Sequence, residues 1–495
     1  MIGRRVQQRI YLEGLMGRRP PLPVRPDALE AEPQKRMAPE AFAYVAGGAG
    51  LEWTMEANRE AFRRLALLPR MLRGTKPPGL GVELWGRRWA APLFLCPIGV
   101  LELAHPEAEL AAVRAAAKRG LPFMVSNQAS HPLERVVEAA KAVNPEAPVF
   151  FQLYHSTDPR AVESFLRRAE KAGCAGVVLT VDTVQLGWRP RDLDLGHLPF
   201  LKGQGLAVYL TDPAFLGALD EPLEGPAFRP KPTLALLRNL LALRRTGRRY
   251  GLSLIQMQKA VRRFVATYSY PELSWEEVRR VRESTALPLL LKGILHPEDA
   301  LRAVELGVDG VYVSNHGGRQ VDGSLAALHA LPQVVQAVEG RVPVLMDSGV
   351  RTGADAVKAL ALGARAVGLG RPYVYALALG GEEGVGAFLD HFLAELELTL
   401  ALSGVGSLEE LGPHFLAKEN PPPQGGRGGA EGVCPYSWAT TLTLSWMGSP
   451  GRGVKERTYS PSSLMGFSSA RRLGSMVMPC WRERASAMSL AVTEP

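Results

Sequence analysis

The run Ser314-Asn315-His316-Gly317-Gly318-Arg319-Gln320 places an imidazole three residues before a guanidinium, with two glycines between them. An imidazole takes a proton near neutral pH. A guanidinium holds a carboxylate through two parallel hydrogen bonds. Together they suit proton abstraction from an anionic substrate, and the glycines let a ligand approach the backbone closely. Asp182 is of the type that orients an imidazole and stabilises its protonated form. Lys292 closes the apolar run Leu289-Leu290-Leu291, where an ammonium is costly to bury unless it meets a negative charge. A reduced flavin, anionic around N1 and O2, is such a partner. Gly349 with Arg351, and Gly370 with Arg371, pair accessible backbone amides with guanidinium groups and suit a phosphate dianion.

These residues share an address, because each follows a short apolar run. The runs predict strands at 93–96, 123–126, 149–153, 176–181, 288–292, 310–313, 344–347 and 366–370. Amphipathic stretches at 107–118, 133–143, 160–172, 297–306, 331–338 and 353–362 predict helices between them. Alternating buried strands and helices imply a parallel sheet, and eight units imply a (β/α)8 TIM barrel over residues 92–417. In such a barrel chemistry sits at the carboxyl ends of the strands. Those ends carry Gln152 and Tyr154, Thr180 and Asp182, Lys292, Ser314 and His316, Asp347, and Gly370. An open doubly wound sheet is the weaker alternative, because no G-x-G-x-x-G or P-loop follows the first strand. Residues 1–91 read as an N-terminal extension packed on the barrel, with helices around 39–45 and 51–65 and a short strand pair at 85–91. Residues 183–287 interrupt the repeat after strand four. They read as a lid-like, partly disordered insertion with one helix at 234–243.

Composition excludes several classes. Of 495 residues, 46% are hydrophobic and 22% charged, which is globular and not disordered usage. The cysteines (Cys96, Cys174, Cys434 and Cys480) form no C-x-x-C pair, so a disulfide framework or metal ribbon has no support, no metal is expected, and the cytoplasm is the expected compartment. No apolar run approaches the roughly 20 residues that span a bilayer. The net charge is +9, but residues 418–495 hold nine Lys/Arg against five Asp/Glu, and no basic run suits nucleic acid. Those last residues also carry 11 Ser and no Asp. They read as a disordered or non-native extension, such as a shifted reading frame produces, with a targeting or docking tail as the alternative.

The run SNHGGRQ, preceded by LLLKG and followed by MDSGVRTGADAVKALALGARAVGLGRP, resembles the FMN-dependent α-hydroxy-acid oxidases and dehydrogenases. The resemblance covers about residues 8–416 and implies a TIM barrel with FMN at its mouth. It implies His316 as the catalytic base, Asp182 as its partner, and Arg189 and Arg319 as the substrate-carboxylate pair. Tyr44, in YVAGGAG, and Tyr154, in FFQLY, resemble the tyrosines of the substrate site. Lys292 resembles the lysine at flavin N1. Ser126, Gln152, Thr180 and Ser314 resemble flavin contacts; Asp347, Gly349, Arg351, Gly370 and Arg371 resemble the ribityl and phosphate contacts. RIYLEGLMG, CPIGV and GWRPRDLDLGHLPF are most similar to the lactate 2-monooxygenase branch. The resemblance therefore implies oxidation of an L-2-hydroxy acid, with oxygen or another electron acceptor, in a homo-oligomer of four or more chains. Three positions depart from the pattern: Ser348 replaces a usual Gly and is expected to crowd a phosphate amide, Cys96 replaces Ala, and Gln128 replaces an aromatic. An isopentenyl-diphosphate isomerase-like flavin barrel, or a silent flavin-binding module, remains as the alternative.

Overall fold

The computed structural model describes residues 1–223 and 231–418. The expectation for the chain after Lys418 lies outside the described residues, as does that for 224–230.

Eight parallel strands close a barrel. They are β1 (Leu93–Leu95), β2 (Phe123–Ser126), β3 (Val149–Tyr154), β4 (Gly176–Thr180), β5 (Leu289–Ile294), β6 (Gly310–Val313), β7 (Val344–Met346) and β8 (Ala366–Leu369), in spatial sequence with β8 returning to β1. The TIM barrel expected from the alternating runs is therefore present. Side chains alternate along each strand as a closed sheet requires. Phe94, Met124, Phe150, Val178, Leu290, Tyr312 and Leu345 fill the interior. Leu93, Leu95, Phe123, Val125, Val177 and Leu291 face the helices. The hairpin Val82–Leu84 and Arg87–Trp89 closes the amino end: Trp89 packs edge-on against Phe94 and Phe150, and Trp85 Nε1 donates to the Asp309 carbonyl at 2.8 Å. The carboxyl end is left as the mouth.

The barrel helices are α1 (Ala108–Ala117), α2 (Leu133–Lys141), α3 (Pro159–Ala172), α4 (Trp275–Glu283), α5 (Pro297–Glu305), α6 (Ala327–Val338), α7 (Gly353–Ala361) and α8 (Arg371–Leu402). The elements differ from the sequence reading in three ways. First, α6 starts at Ala327 rather than 331, and Pro332 lies inside it, in its first two turns. Second, α4 lies within the stretch assigned to the insertion. Third, the helices Ile2–Leu15 and Pro26–Gln34 were not expected. Their apolar residues are sparse, and tertiary contact supplies what propensity does not: Gly3 packs on Leu398 of α8 and its N–H donates to Glu397 at 2.8 Å.

Between β4 and α4 the chain forms short helices and the longer pair Leu234–Arg249 and Leu254–Thr267. The first of that pair runs six residues past the expected end, because Arg244, Arg245, Arg248 and Arg249 continue its exposed side beyond the last leucine. Buried ion pairs fix this region to α3 and its neighbours. Arg263 reaches Asp158 at 2.6 Å, and Arg168 reaches Asp212 at 3.2 Å.

Glu109 of α1 is fully buried. One oxygen accepts from the Ser130 N–H at 3.0 Å, while the other has no hydrogen-bond partner. Burial pushes its carboxyl up to about 7 from 4.5. A raised carboxyl favours folding while protonated, and that contribution is lost as pH rises through the interval from 4.5 to about 7. Glu109→Gln is therefore expected to raise the melting temperature at pH 8, by an amount corresponding to at most about 3 kcal/mol, and to change it little at pH 4. Equal shifts at both pH values in a thermal melt would refute this reading.

Candidate active site

At the carboxyl end of the barrel lies a cleft of about 1060 Å³, open to solvent on one side. It collects residues from all parts of the sequence reading. Tyr44 and the substrate-side group Tyr154, Arg189, His316 and Arg319 line it, as do Lys292, Asp347, Gly349, Arg351, Gly370 and Arg371.

His316 sits just beyond β6 in the left-handed backbone region, with φ of 58°. The Oγ of Ser314 accepts its N–H at 3.0 Å and fixes this turn. Its Nδ1 lies 2.8 Å from Asp182 Oδ1, and Nε2 points toward Tyr154 Oη at 3.4 Å. Asp182 also accepts from Thr183 Oγ1 at 2.8 Å, and its second oxygen lies 3.5 Å from Lys292 Nζ. Burial opposes ionisation of Asp182, yet its interactions with His316, Lys292 and the Thr183 hydroxyl outweigh it and hold the carboxyl well below its usual range. Burial also holds His316 below the usual imidazole value, against the pull of Asp182. The imidazole therefore tends to the neutral form, with Nε2 turned toward Tyr154 Oη at the cleft.

A kink in β5 makes the Asp182–Lys292 approach feasible. The register of β5 against β6 shifts between Lys292 and Ile294. Gly293 there has φ of 110°, and a Cβ on it would stand 2.7 Å from Asp182 Cβ. Only glycine accepts both conditions.

The cationic side is built by hydrogen bonds to backbone oxygens. Arg319 donates to the carbonyls of Tyr44 and Gly47 at 2.6 and 2.7 Å and lies over the Tyr44 ring. Arg189 donates to the Arg319 carbonyl at 3.1 Å and to Gln320 Oε1 at 2.9 Å. Arg371 donates to the carbonyls of Val45, Gly317 and Gly47. Burial, with Arg189 and Arg371 adding repulsion, pushes Arg319 down to about 9; burial and Arg59 push Arg351 down to about 10. Such depression marks a place short of negative charge, so the cleft is built to receive anions.

Not every expected residue reaches the cleft. Ser126, Gln152 and Thr180 form a buried ladder across β2, β3 and β4: Ser126 Oγ donates to Gln152 Oε1 at 2.9 Å, and Gln152 Nε2 donates to Thr180 Oγ1 at 3.0 Å. Ser348, expected to crowd a phosphate amide, has φ of 79°. Its hydroxyl donates to Asp347 Oδ1 at 2.8 Å and accepts the Gly317 N–H at 3.1 Å, so it braces the loop after β6. Sequence reasoning missed Thr183, Gln320, Phe200 and Tyr268. The first two adjoin residues that were singled out. Phe200 and Tyr268 come from the insertion and line the cleft; Phe200 ends the run GWRPRDLDLGHLPF, whereas no local signal marks Tyr268.

The cleft also fits a phosphate-bearing flavin. Lys292 Nζ is buried without a hydrogen bond, as is Arg351 Nε. A Cβ added at Gly370 would meet nothing within 4 Å, which leaves its backbone approachable beside Arg371.

Residues 33–418 match the family model described as FMN-dependent dehydrogenase. An L-lactate oxidase of Lysinibacillus sphaericus is 39% identical over 400 residues, covering 81% of this chain and 94% of that protein. An L-lactate dehydrogenase of Pseudomonas aeruginosa is 36% identical, covering 79% and 97%. Among solved structures, a putative lactate oxidase of Pediococcus acidilactici matches with a TM-score of 0.64 at 32% identity, covering 80% of this chain and 94% of that one. A mandelate oxidase complexed with (S)-4-hydroxymandelic acid gives 0.65 at 34%, covering 80% and 98%. The chain belongs to the FMN-dependent α-hydroxy-acid oxidoreductases, and its cofactor is FMN. Its reaction is the FMN-dependent oxidation of an α-hydroxy acid to the 2-oxo acid. No helix among the described residues is long and apolar enough to cross a membrane.

Proposed function

We propose that the substrate is an L-2-hydroxy acid of lactate type, that oxygen is the electron acceptor, and that the 2-oxo acid is held long enough to be decarboxylated. The observation that carries the chemistry is the neutral His316 held by Asp182 at 2.8 Å, beside the paired Arg189 and Arg319. The two guanidinium groups bind the substrate carboxylate. Tyr44 and Tyr154 position the substrate oxygens. His316 accepts a proton at Nε2, and Asp182 stabilises the charge that results. The two-electron acceptor for this oxidation would be supplied by FMN when it is bound. Lys292 supplies a fixed positive charge at the cleft floor, and Asp347, Gly349, Arg351, Gly370 and Arg371 are the residues to hold the ribityl and phosphate groups. Retention of the product is supported by the wall that Leu186, Phe200 and Tyr268 add to the cleft, since all three come from the insertion.

The test is to mix the purified flavoprotein anaerobically with L-lactate, record the flavin spectrum, then admit air. Bleaching followed by acetate without peroxide supports the full proposal. Pyruvate with peroxide overturns the decarboxylating step, and bleaching that air does not reverse overturns oxygen as acceptor. We also infer a homo-oligomer. Leu51, Trp53, Trp188 and Val321 are exposed, and the bonds Gly50 N–H to Trp188 O and Leu51 N–H to Asp322 gather them. A monomer in sedimentation velocity would overturn this.

A further inference from the structure

Besides the Ser126–Gln152–Thr180 ladder, the barrel interior carries a polar group at Tyr312. Tyr312 of β6 is fully buried among Phe94, Leu290 and Leu345. A hydroxyl in such surroundings is costly unless it is bonded. Its Oη donates to Asp347 Oδ2 at 2.7 Å and also lies 3.4 Å from Cys96 Sγ. The Cys96 thiol in turn lies 3.6 Å from the same Asp347 oxygen. Burial raises both the Tyr312 phenol and the Cys96 thiol well above their usual values, with Asp347 adding to each shift. Both therefore keep their protons, and Asp347 is the acceptor between them.

The other side of the ring faces the cleft floor. Lys292 Nζ lies 5.5 Å from the Tyr312 ring centre, a cation–π contact that takes up none of its hydrogen bonds. Asp347 and Lys292 both line the cleft, whereas Tyr312 does not. One buried side chain therefore bonds one charged group of the cleft lining, Asp347, and lies under a second, Lys292.

We propose that Tyr312 is a positioning residue that sets the electrostatics of the flavin site by holding Asp347 through its hydroxyl and Lys292 through its ring. This rests on the reading of the cleft as the FMN site. The hydroxyl disperses the Asp347 charge and keeps that carboxylate from turning toward Lys292. Without it, the negative charge on Asp347 is less damped and Lys292 has a competing partner. Both changes disfavour added negative charge on the flavin.

Sulfite is a suitable probe, since it adds to flavin N5 and leaves negative charge on the pyrimidine ring without any substrate. Tyr312→Phe keeps the ring and removes the donor. Loss of a hydrogen bond to a charged group predicts a rise of about tenfold in the sulfite Kd, together with a more negative reduction potential. Asp347→Asn is expected to tighten sulfite binding. In the double variant, sulfite affinity should match that of Asp347→Asn alone, because Tyr312 acts through that carboxylate. An unchanged sulfite Kd in flavin-loaded Tyr312→Phe would overturn the proposal. So would a Tyr312→Phe effect of equal size in the Asp347→Asn background, and so would weaker sulfite binding by Asp347→Asn itself. Failure of the wild-type protein to carry FMN would instead defeat the site reading on which the proposal stands.

Discussion

His316→Gln is expected to leave FMN bound and to slow flavin reduction by L-lactate by about 10²–10⁴-fold, the usual weight of a positioned general base. Glutamine retains a hydrogen-bonding group toward Asp182, so the fold and the cofactor site should survive. The loss should fall on the reductive step, read by anaerobic stopped flow at saturating lactate. The pH profile of the native enzyme provides a second reading of the same residue. Burial holds the His316 imidazole below its usual value, so the neutral, proton-accepting form persists as pH falls through the ordinary imidazole range. The rate should drop only at lower pH. Normal flavin reduction by the variant, or a rate that rises as pH falls, would remove His316 from the role of base.

Arg319→Met should act on the substrate rather than on the cofactor. The methionine keeps length and apolar bulk but has no charge. Loss of one arm of a bidentate, charge-assisted contact predicts a fall of about 10²–10³-fold in kcat/KM. The informative control is the neutral amide of the same hydroxy acid. Native protein should prefer the carboxylate strongly, and the variant should lose most of that preference. Persistent discrimination would assign the carboxylate contact to Arg189 alone. Arg319 also donates to the carbonyls of Tyr44 and Gly47, so flavin content and melting temperature should accompany the kinetics.

How much of this was legible in the sequence depended on where each residue stood. His316, Asp182 and Lys292 each follow an apolar run, and a parallel barrel converts that adjacency into a shared mouth. The barrel was readable for the same reason, since buried strands appear as unbroken apolar segments. Tyr312 was hidden by the same property: within Val311-Tyr312-Val313 it reads as one more core residue, and only the closed barrel shows its hydroxyl meeting Asp347. Tyr268 was illegible because the path of the insertion is set by distant contacts such as Arg263 with Asp158. The helix Ile2–Leu15 has a thin apolar row, Ile2, Val6 and Ile10, blurred in the sequence by Tyr11, Leu12 and Leu15, which stay exposed. Ser348 lines the cleft as its position after strand seven implies, and its hydroxyl also joins two loops, a role no local pattern marks.

The kink at Gly293 carries a consequence for the tolerance of this gene to mutation. Gly293 has no side chain to do chemistry and is not among the residues lining the cleft, yet every change of its codon that alters the residue adds an atom where Asp182 stands. In a saturation-mutagenesis map scored for turnover, position 293 should appear as blank as position 316. The two blanks would differ in kind. Changes at 316 would yield folded, flavin-bearing, inert protein, whereas changes at 293 would displace the carboxylate and disturb the strand together. A map read by turnover alone would thus assign the glycine to the catalytic machinery, and a parallel score for flavin retention would separate the two.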